Sequence, residues 1–211
     1  MKKTILSLLV TVGLIGSAST ATVISTLYEN NYGNTPVDSF SAFYQVFTTG
    51  SNNGGYTLDN IVIAMASSVQ INVGLGYFIN GLPDQSYPSQ KFSILDASSL
   101  PLGYGWQTFT PNSAVHLNAN TTYCWIATDN SSHYSGSSIV VTDKDNLRYP
   151  LFTDWVINSS FTRDQANYGL FSPSLIARFS IDATAVPEPS TYALFGLGLV
   201  SLLVIRRKRL C

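Results

Sequence analysis

Side chains able to do acid–base, nucleophilic or metal chemistry are sparse in this chain. The only histidines are His116 and His133, and the only cysteines are Cys124 and Cys211. A hydrolytic triad needs a nucleophile, a base and an acid that orients the base. Neither histidine lies near a Gly-x-Ser-x-Gly elbow, which the sequence lacks. His116, in Ala114-Val115-His116-Leu117, has the setting of a strand residue, and His133, in Ser131-Ser132-His133-Tyr134, that of an exposed turn. Cys124 falls in the apolar run Tyr123-Cys124-Trp125-Ile126, where a thiol acts as a small buried hydrophobe. Two histidines and that cysteine give no zinc spacing. Asp143-Lys144-Asp145-Asn146 spaces two carboxylates as calcium loops do, but without the glycine and terminal glutamate of an EF-hand, so a solvated turn is preferred. Glu29 is the one glutamate of the body proper, which leaves little for a glycosidase carboxylate pair. No catalytic residue, metal site or cofactor is expected, and the chain is taken as a non-enzyme; a secreted hydrolase is kept as a minority reading.

Aromatic rings are the remaining chemistry. Trp106, Trp125 and Trp155, with Tyr87, Tyr104, Tyr134 and Tyr149, could stack against sugar rings, because each offers an apolar face with a polar handle. Trp125 sits in the apolar run and is expected in the core. Trp106, after Gly103-Tyr104-Gly105, and Tyr134 occupy turn-like settings. These two are the candidate sugar-stacking residues.

The elements that would carry them are strands. The chain has 211 residues, 45% apolar and 11% charged, with 12 Tyr and 11 Phe. An average soluble domain is roughly 25% charged. Low charge with abundant aromatic and β-branched side chains suits an extracellular β-protein. Val69, Ile71, Val73, Leu75, Tyr77 and Ile79 alternate with Gln70, Asn72, Gly74, Gly76 and Phe78, the period of a half-buried strand. Residues 56–65 lead into it and are expected to pair with it through a turn at Ser67-Ser68. Further strands are expected at 40–48, 91–95, 106–110, 121–128, 137–142 and 175–183. In the last, Leu175, Ala177, Phe179 and Ile181 face one way and Ile176, Arg178, Ser180 and Asp182 the other. Turns are expected at Gly50-Ser51-Asn52-Asn53-Gly54-Gly55, Gly81-Leu82-Pro83-Asp84 and Pro111-Asn112. Long loops are expected over 143–173. The expectation is an all-β body over 22–184, a single antiparallel β-sandwich of jelly-roll type without an internal disulfide.

Charge is concentrated at the two ends. Lys2 and Lys3 precede an apolar stretch from Ile5 to Ile15 and the small residues Gly16-Ser17-Ala18-Ser19-Thr20-Ala21. These are the parts of a secretory signal peptide over 1–21, cut by signal peptidase after Ala21, or after Ala18 or Ser19. At the other end, Val186-Pro187-Glu188-Pro189-Ser190-Thr191 cannot continue a strand or helix. Tyr192 to Ile205 is uncharged and apolar, and Arg206, Arg207, Lys208 and Arg209 follow. About 14 residues at about 1.5 Å each give a transmembrane segment of roughly 21 Å, short for a bilayer, with the basic residues setting its topology by staying cytoplasmic. Between the ends the chain is net acidic, with Lys91, Lys144, Arg148, Arg163 and Arg178 as its only bases. Nothing clusters to neutralise phosphates, which argues against nucleic-acid binding.

The run Val186 to Leu194, the glycine-bearing apolar stretch and the Arg/Lys tail together resemble a PEP-CTERM sorting signal, covering 185–211. The resemblance implies export across the inner membrane of a Gram-negative bacterium that makes exopolysaccharide. It also implies a transiently membrane-anchored precursor, later at the cell surface or in the extracellular matrix. The processing partner would be an exosortase, a membrane-embedded cysteine transpeptidase-like enzyme that recognises Pro187, Glu188 and Pro189. Within the body, Phe43-Tyr44-Gln45-Val46-Phe47-Thr48-Thr49-Gly50, followed by Tyr56-Thr57-Leu58-Asp59-Asn60-Ile61, resembles the opening of choice-of-anchor extracellular domains of type R. That family implies a β-rich body and no activity. The expected role is a surface or matrix protein associated with exopolysaccharide or biofilm, with a carbohydrate-binding module as the alternative.

Overall fold

The computed structural model describes residues 21–37, 41–67, 71–79, 82–83, 95–97, 103–129, 137–147, 154–164, 167–170, 175–188, 196–198, 201–202 and 206. Among these residues the chain is mostly β, with fifteen strands joined through antiparallel ladders, one 3-10 turn, and helical residues at 196–198, 201–202 and 206. Of the expected leader over 1–21 only Ala21, the first residue of β1, is among them, and most of 192–205 lies outside them. No helix among the described residues is long and apolar enough to cross a membrane.

One arm of the fold is β1 (Ala21–Ser25), β15 (Phe179–Ala185) and β4 (Tyr56–Ser67), with β8 (Gly103–Pro111) and β9 (Val115–Leu117) sharing the far edge of β4. The other arm runs β5 (Ile71–Ile79), β10 (Thr122–Asp129), β3 (Ser41–Thr48), β12 (Val156–Asp164) and β13 (Asn167–Leu170). Short β7 (Leu95–Ala97) joins the arms by pairing with β8 and, at Leu95, with Val73 of β5. β11 (Ser137–Asp143) meets β4 at Ile139 and Met65 and is flanked by β2 (Gly33–Val37) and β14 (Leu175–Ala177). β6 (Leu82–Pro83) pairs with the end of β5.

Period-two burial turns both arms toward one core. Ile61, Ile63 and Met65 of β4 join Phe109, Phe179 and Ile181 on one side, and Phe43, Phe47, Val73, Leu75 and Trp125 on the other. Rings meet across the arms: Trp125 of β10 lies edge-on to Phe179 of β15, with centroids 5.7 Å apart. In β4 the inward set shifts from Tyr56 and Leu58 to Ile61 and Ile63, because an irregularity opposite Asp182 and Ala183 inserts an extra residue. A bulge of this kind resets which face is buried.

Three sequence expectations need correction. First, β4 and β5 do not form a hairpin. The edges of β4 are taken by β15 and β11 and by β8 and β9, while β5 pairs with β10, β6 and β7. Alternation fixes which side chains go inward and says nothing about which strand supplies the hydrogen bonds.

Second, 143–173 is not a long loop region, since β12 and β13 lie in it. The pattern is hidden because β12 slips register against β3 between Ile157 and Ser160. Its inner positions are also partly polar. Ser160 is buried and donates to the Leu175 carbonyl at 2.6 Å, opposite buried Gln45, whose Oε1 accepts from the Ala177 amide at 2.9 Å.

Third, the 175–183 strand is interrupted at Arg178. Its amide donates to the Val140 carbonyl, and its own carbonyl accepts from the Ala64 amide, each at 2.8 Å. The chain thereby passes from the β11 ladder to the β4 ladder.

Candidate functional site

The described part of the tail is not a free linker. β15 and β4 pair until Ala185 stands opposite Tyr56. The ladder gains one further bond, from the Val186 amide to the Gly55 carbonyl at 3.0 Å. It stops there because Pro187 has no N–H to donate.

The turn that receives the tail is Asn52 to Gly55. The Gly55 amide donates to the Asn52 carbonyl at 2.7 Å, and Gly55 has φ +71°, a conformation that costs a glycine little. Two anchors fix the turn to the body. The Ser51 amide and hydroxyl both donate to Asp154 Oδ2 at 2.6 Å, and the Asn52 amide donates to the Tyr56 hydroxyl at 3.3 Å. The Ser51 hydrogen bonds hold the Asp154 carboxyl below the usual carboxylate range. Tyr56 is itself pinned edge-on against Trp155, with ring centroids 4.9 Å apart.

On this turn lie the first residues of the expected sorting motif. Asn52 Nδ2 donates to the Val186 carbonyl at 3.0 Å and also reaches the Gly55 carbonyl. Asn53 Nδ2 donates to Glu188 Oε1 at 3.1 Å. Gly54 sits beneath the Val186–Pro187 backbone. A Cβ there would collide with the Val186 carbonyl oxygen and come within 3.2 Å of the Pro187 carbonyl carbon. Pro187 is exposed and Glu188 partly so. Pro189 lies outside the described residues, as do Arg207, Lys208 and Arg209; Arg206 is exposed.

The other candidates separate cleanly by burial. Trp106 on β8 is 50% exposed, and its ring meets that of Tyr28, 67% exposed, at 5.1 Å and 89°. Tyr134 lies outside the described residues, as do Tyr87, Tyr149 and His133. Trp125 is wholly buried, as expected, and Trp155 is 2% exposed, which removes it from any sugar platform. Cys124 is buried, and burial pushes its thiol pKa well up. Asp143 caps a single 3-10 turn, Lys144–Asn146, by accepting from the Asp145 amide at 3.0 Å. His116 lies on β9 and is exposed, with its Nε2 close against Gly55. Among the described residues, no three His, Cys, Asp or Glu gather as a metal site would require.

Sequence reasoning identified the turn but not its role. Asn52, Asn53 and Gly54 matter because β4 and β15 are partners in this register, which only the tertiary structure supplies. Tyr28 was missed for the same reason.

Comparison with protein families finds the PEP-CTERM protein-sorting motif over residues 185–209. No curated protein matches the chain. The chain thus carries, directly after its β-body, a PEP-CTERM motif that supports export and sorting by an exosortase.

Proposed function

We propose that this protein is a non-enzymatic surface or extracellular-matrix component of a Gram-negative bacterium, associated with its exopolysaccharide. Signal peptidase removes the leader. Residues 192–205 then hold the precursor in the inner membrane, with Arg206 to Arg209 on the cytoplasmic side. An exosortase recognises Pro187, Glu188 and Pro189 and processes the chain. The match of the sorting motif to 185–209 carries this reading. The β-rich body supports it, and the inward packing of two strand arms favours a jelly-roll-like sandwich, read as of the choice-of-anchor kind on the resemblance of 43–61. Changing Pro187, Glu188 and Pro189 to alanine in a host with the enzyme should leave an unprocessed, membrane-bound precursor. Wild-type mass and fractionation in that variant would refute the reading.

A second reading, carbohydrate binding, is favoured by the exposed Trp106 ring with Tyr28 set edge-on against it. A glycan-binding screen on the exported body, repeated with Trp106→Ala, tests it. Binding that survives the substitution would place any sugar site elsewhere.

A further inference from the structure

We infer that the Asn52–Gly55 turn is a clasp that withholds the sorting motif from its processing enzyme, so that the motif must peel off the body before it can be bound. The inference rests on the sorting reading and adds a regulatory step to it.

Polar groups by which an enzyme could hold this peptide are already engaged on either side of exposed Pro187. The Val186 amide is bonded to Gly55, the Val186 carbonyl to Asn52, and the Glu188 carboxylate to Asn53. A site that binds a peptide in extended form grips its backbone groups and alternate side chains. It cannot do so while the same groups face the turn. The lack of a side chain at Gly54 is what lets the 186–187 backbone lie flat on the turn.

Distance sharpens the conflict. From Glu188 to Tyr192, where the apolar segment begins, an extended chain spans at most about 14 Å. A docked tail therefore holds the Asn52–Gly55 turn near the start of that segment, where the enzyme would have to approach. When only the undocked fraction is competent, the observed rate falls by that fraction.

The opposite role is also conceivable in physical terms: a rigid turn that presents the motif. The two differ in sign. If the turn restrains the motif, loosening it speeds processing; if it presents the motif, loosening it slows processing. Occupation of both Val186 backbone groups favours restraint.

The test follows precursor processing of the full chain by pulse–chase in a host carrying the exosortase. Gly54→Ala should push 186–187 off the turn, and Asn53→Ala should release Glu188. One net hydrogen bond corresponds to about a 2- to 10-fold change in an equilibrium, so Asn53→Ala should speed processing by that factor and Gly54→Ala by at least as much. Asn112→Ala, in an exposed turn between β8 and β9, should process at the wild-type rate. Asn53 is itself exposed, so its variant keeps the fold, which a thermal melt of the body verifies. Unchanged or slower processing in Asn53→Ala and Gly54→Ala overturns the clasp. The alanine triple of Pro187, Glu188 and Pro189 separates the two claims. Wild-type processing of that triple sinks the sorting reading. A blocked triple with unchanged Asn53 and Gly54 variants sinks only the clasp.

Discussion

Trp155 and Trp106 both belong to the aromatic set that could stack on sugars and are opposite in burial, so replacing each with alanine tests the fold directly. Trp155 is 2% exposed, stacks on Phe47 with centroids 5.8 Å apart and 9° between planes, and receives Tyr56 edge-on. Removing a buried tryptophan costs about 3–5 kcal/mol, and each well-placed ring pair adds about 0.5–1.5 kcal/mol to area burial. With two such pairs, the upper part of that range applies, about 4–5 kcal/mol. Trp106 is 50% exposed and has one edge contact, to Tyr28, so its loss should cost about 1 kcal/mol. For a body of this size a change of 1 kcal/mol moves Tm by about 2–4 °C. Trp155→Ala should thus melt about 10 °C or more below wild type, and Trp106→Ala within about 4 °C of it. Calorimetry or circular dichroism of the exported body reads both. Equal shifts, or a larger one for Trp106, would refute the placement of Trp155 between the two strand arms and the anchoring of Tyr56 with it.

Other perturbations have defined outcomes. Cys124 should resist thiol reagents in the native body at pH 8 and react on unfolding, because burial pushes its pKa up; fast native labelling would contradict that burial. Cys124→Ser should cost about 1–3 kcal/mol, since a hydroxyl there needs a partner that a thiol does not, and melting of the wild type should ignore reductant. The folded-state pKa of Asp154 is depressed by Ser51, so its contribution is complete above the ordinary carboxylate range and fades as pH falls through its own lower value. Asp154→Asn should therefore flatten the loss of Tm below about pH 4; an unchanged acid limb would count against the Ser51 contact. Replacing Arg206, Arg207, Lys208 and Arg209 with Ser or Asn should let the tail cross, exposing Cys211 to an impermeant label in a Cys124→Ser background. Labelling of Cys211 beside the unmutated basic tail, before processing, would overturn the assigned orientation.

How much of this was legible in the sequence divides along a physical line. Where one face of a strand is buried, the pattern shows it. β3, β4, β5, β8, β10 and β11 all fall within a few residues of their expected ranges. β12 was hidden because a register slip and a buried Ser160–Gln45 pairing replace the apolar alternation with polar residues bonded to backbone. β2 was hidden because Pro36 stands in it, which marks an edge strand more than it forbids one. Pairing was the least legible property. The inward residues of β4 and β5 belong to one core whether the strands are neighbours or face each other, and only the edge ladders decide.

The same line separates the motif from its setting. Pro187 and Glu188 announce themselves locally, because the proline stops the ladder and the apolar and basic segments follow in order. The turn that holds them is local too, since Asn53-Gly54 is turn chemistry wherever it occurs. What the sequence cannot carry is their meeting, which joins residues 52–55 to 186–188 across the whole length of the body. It follows from two independent facts of packing: β15 is the last strand of the body, and its partner β4 begins directly after the turn. Any chain in which the terminal strand pairs beside a hairpin-like turn delivers its tail to that turn. Whether the tail docks or passes by then rests on small residues, here an amide at Asn53 and the missing side chain at Gly54. The first residues of the sorting motif, Val186 to Glu188, are thus hydrogen-bonded to the fold before them, although the sequence presents motif and fold as separate parts.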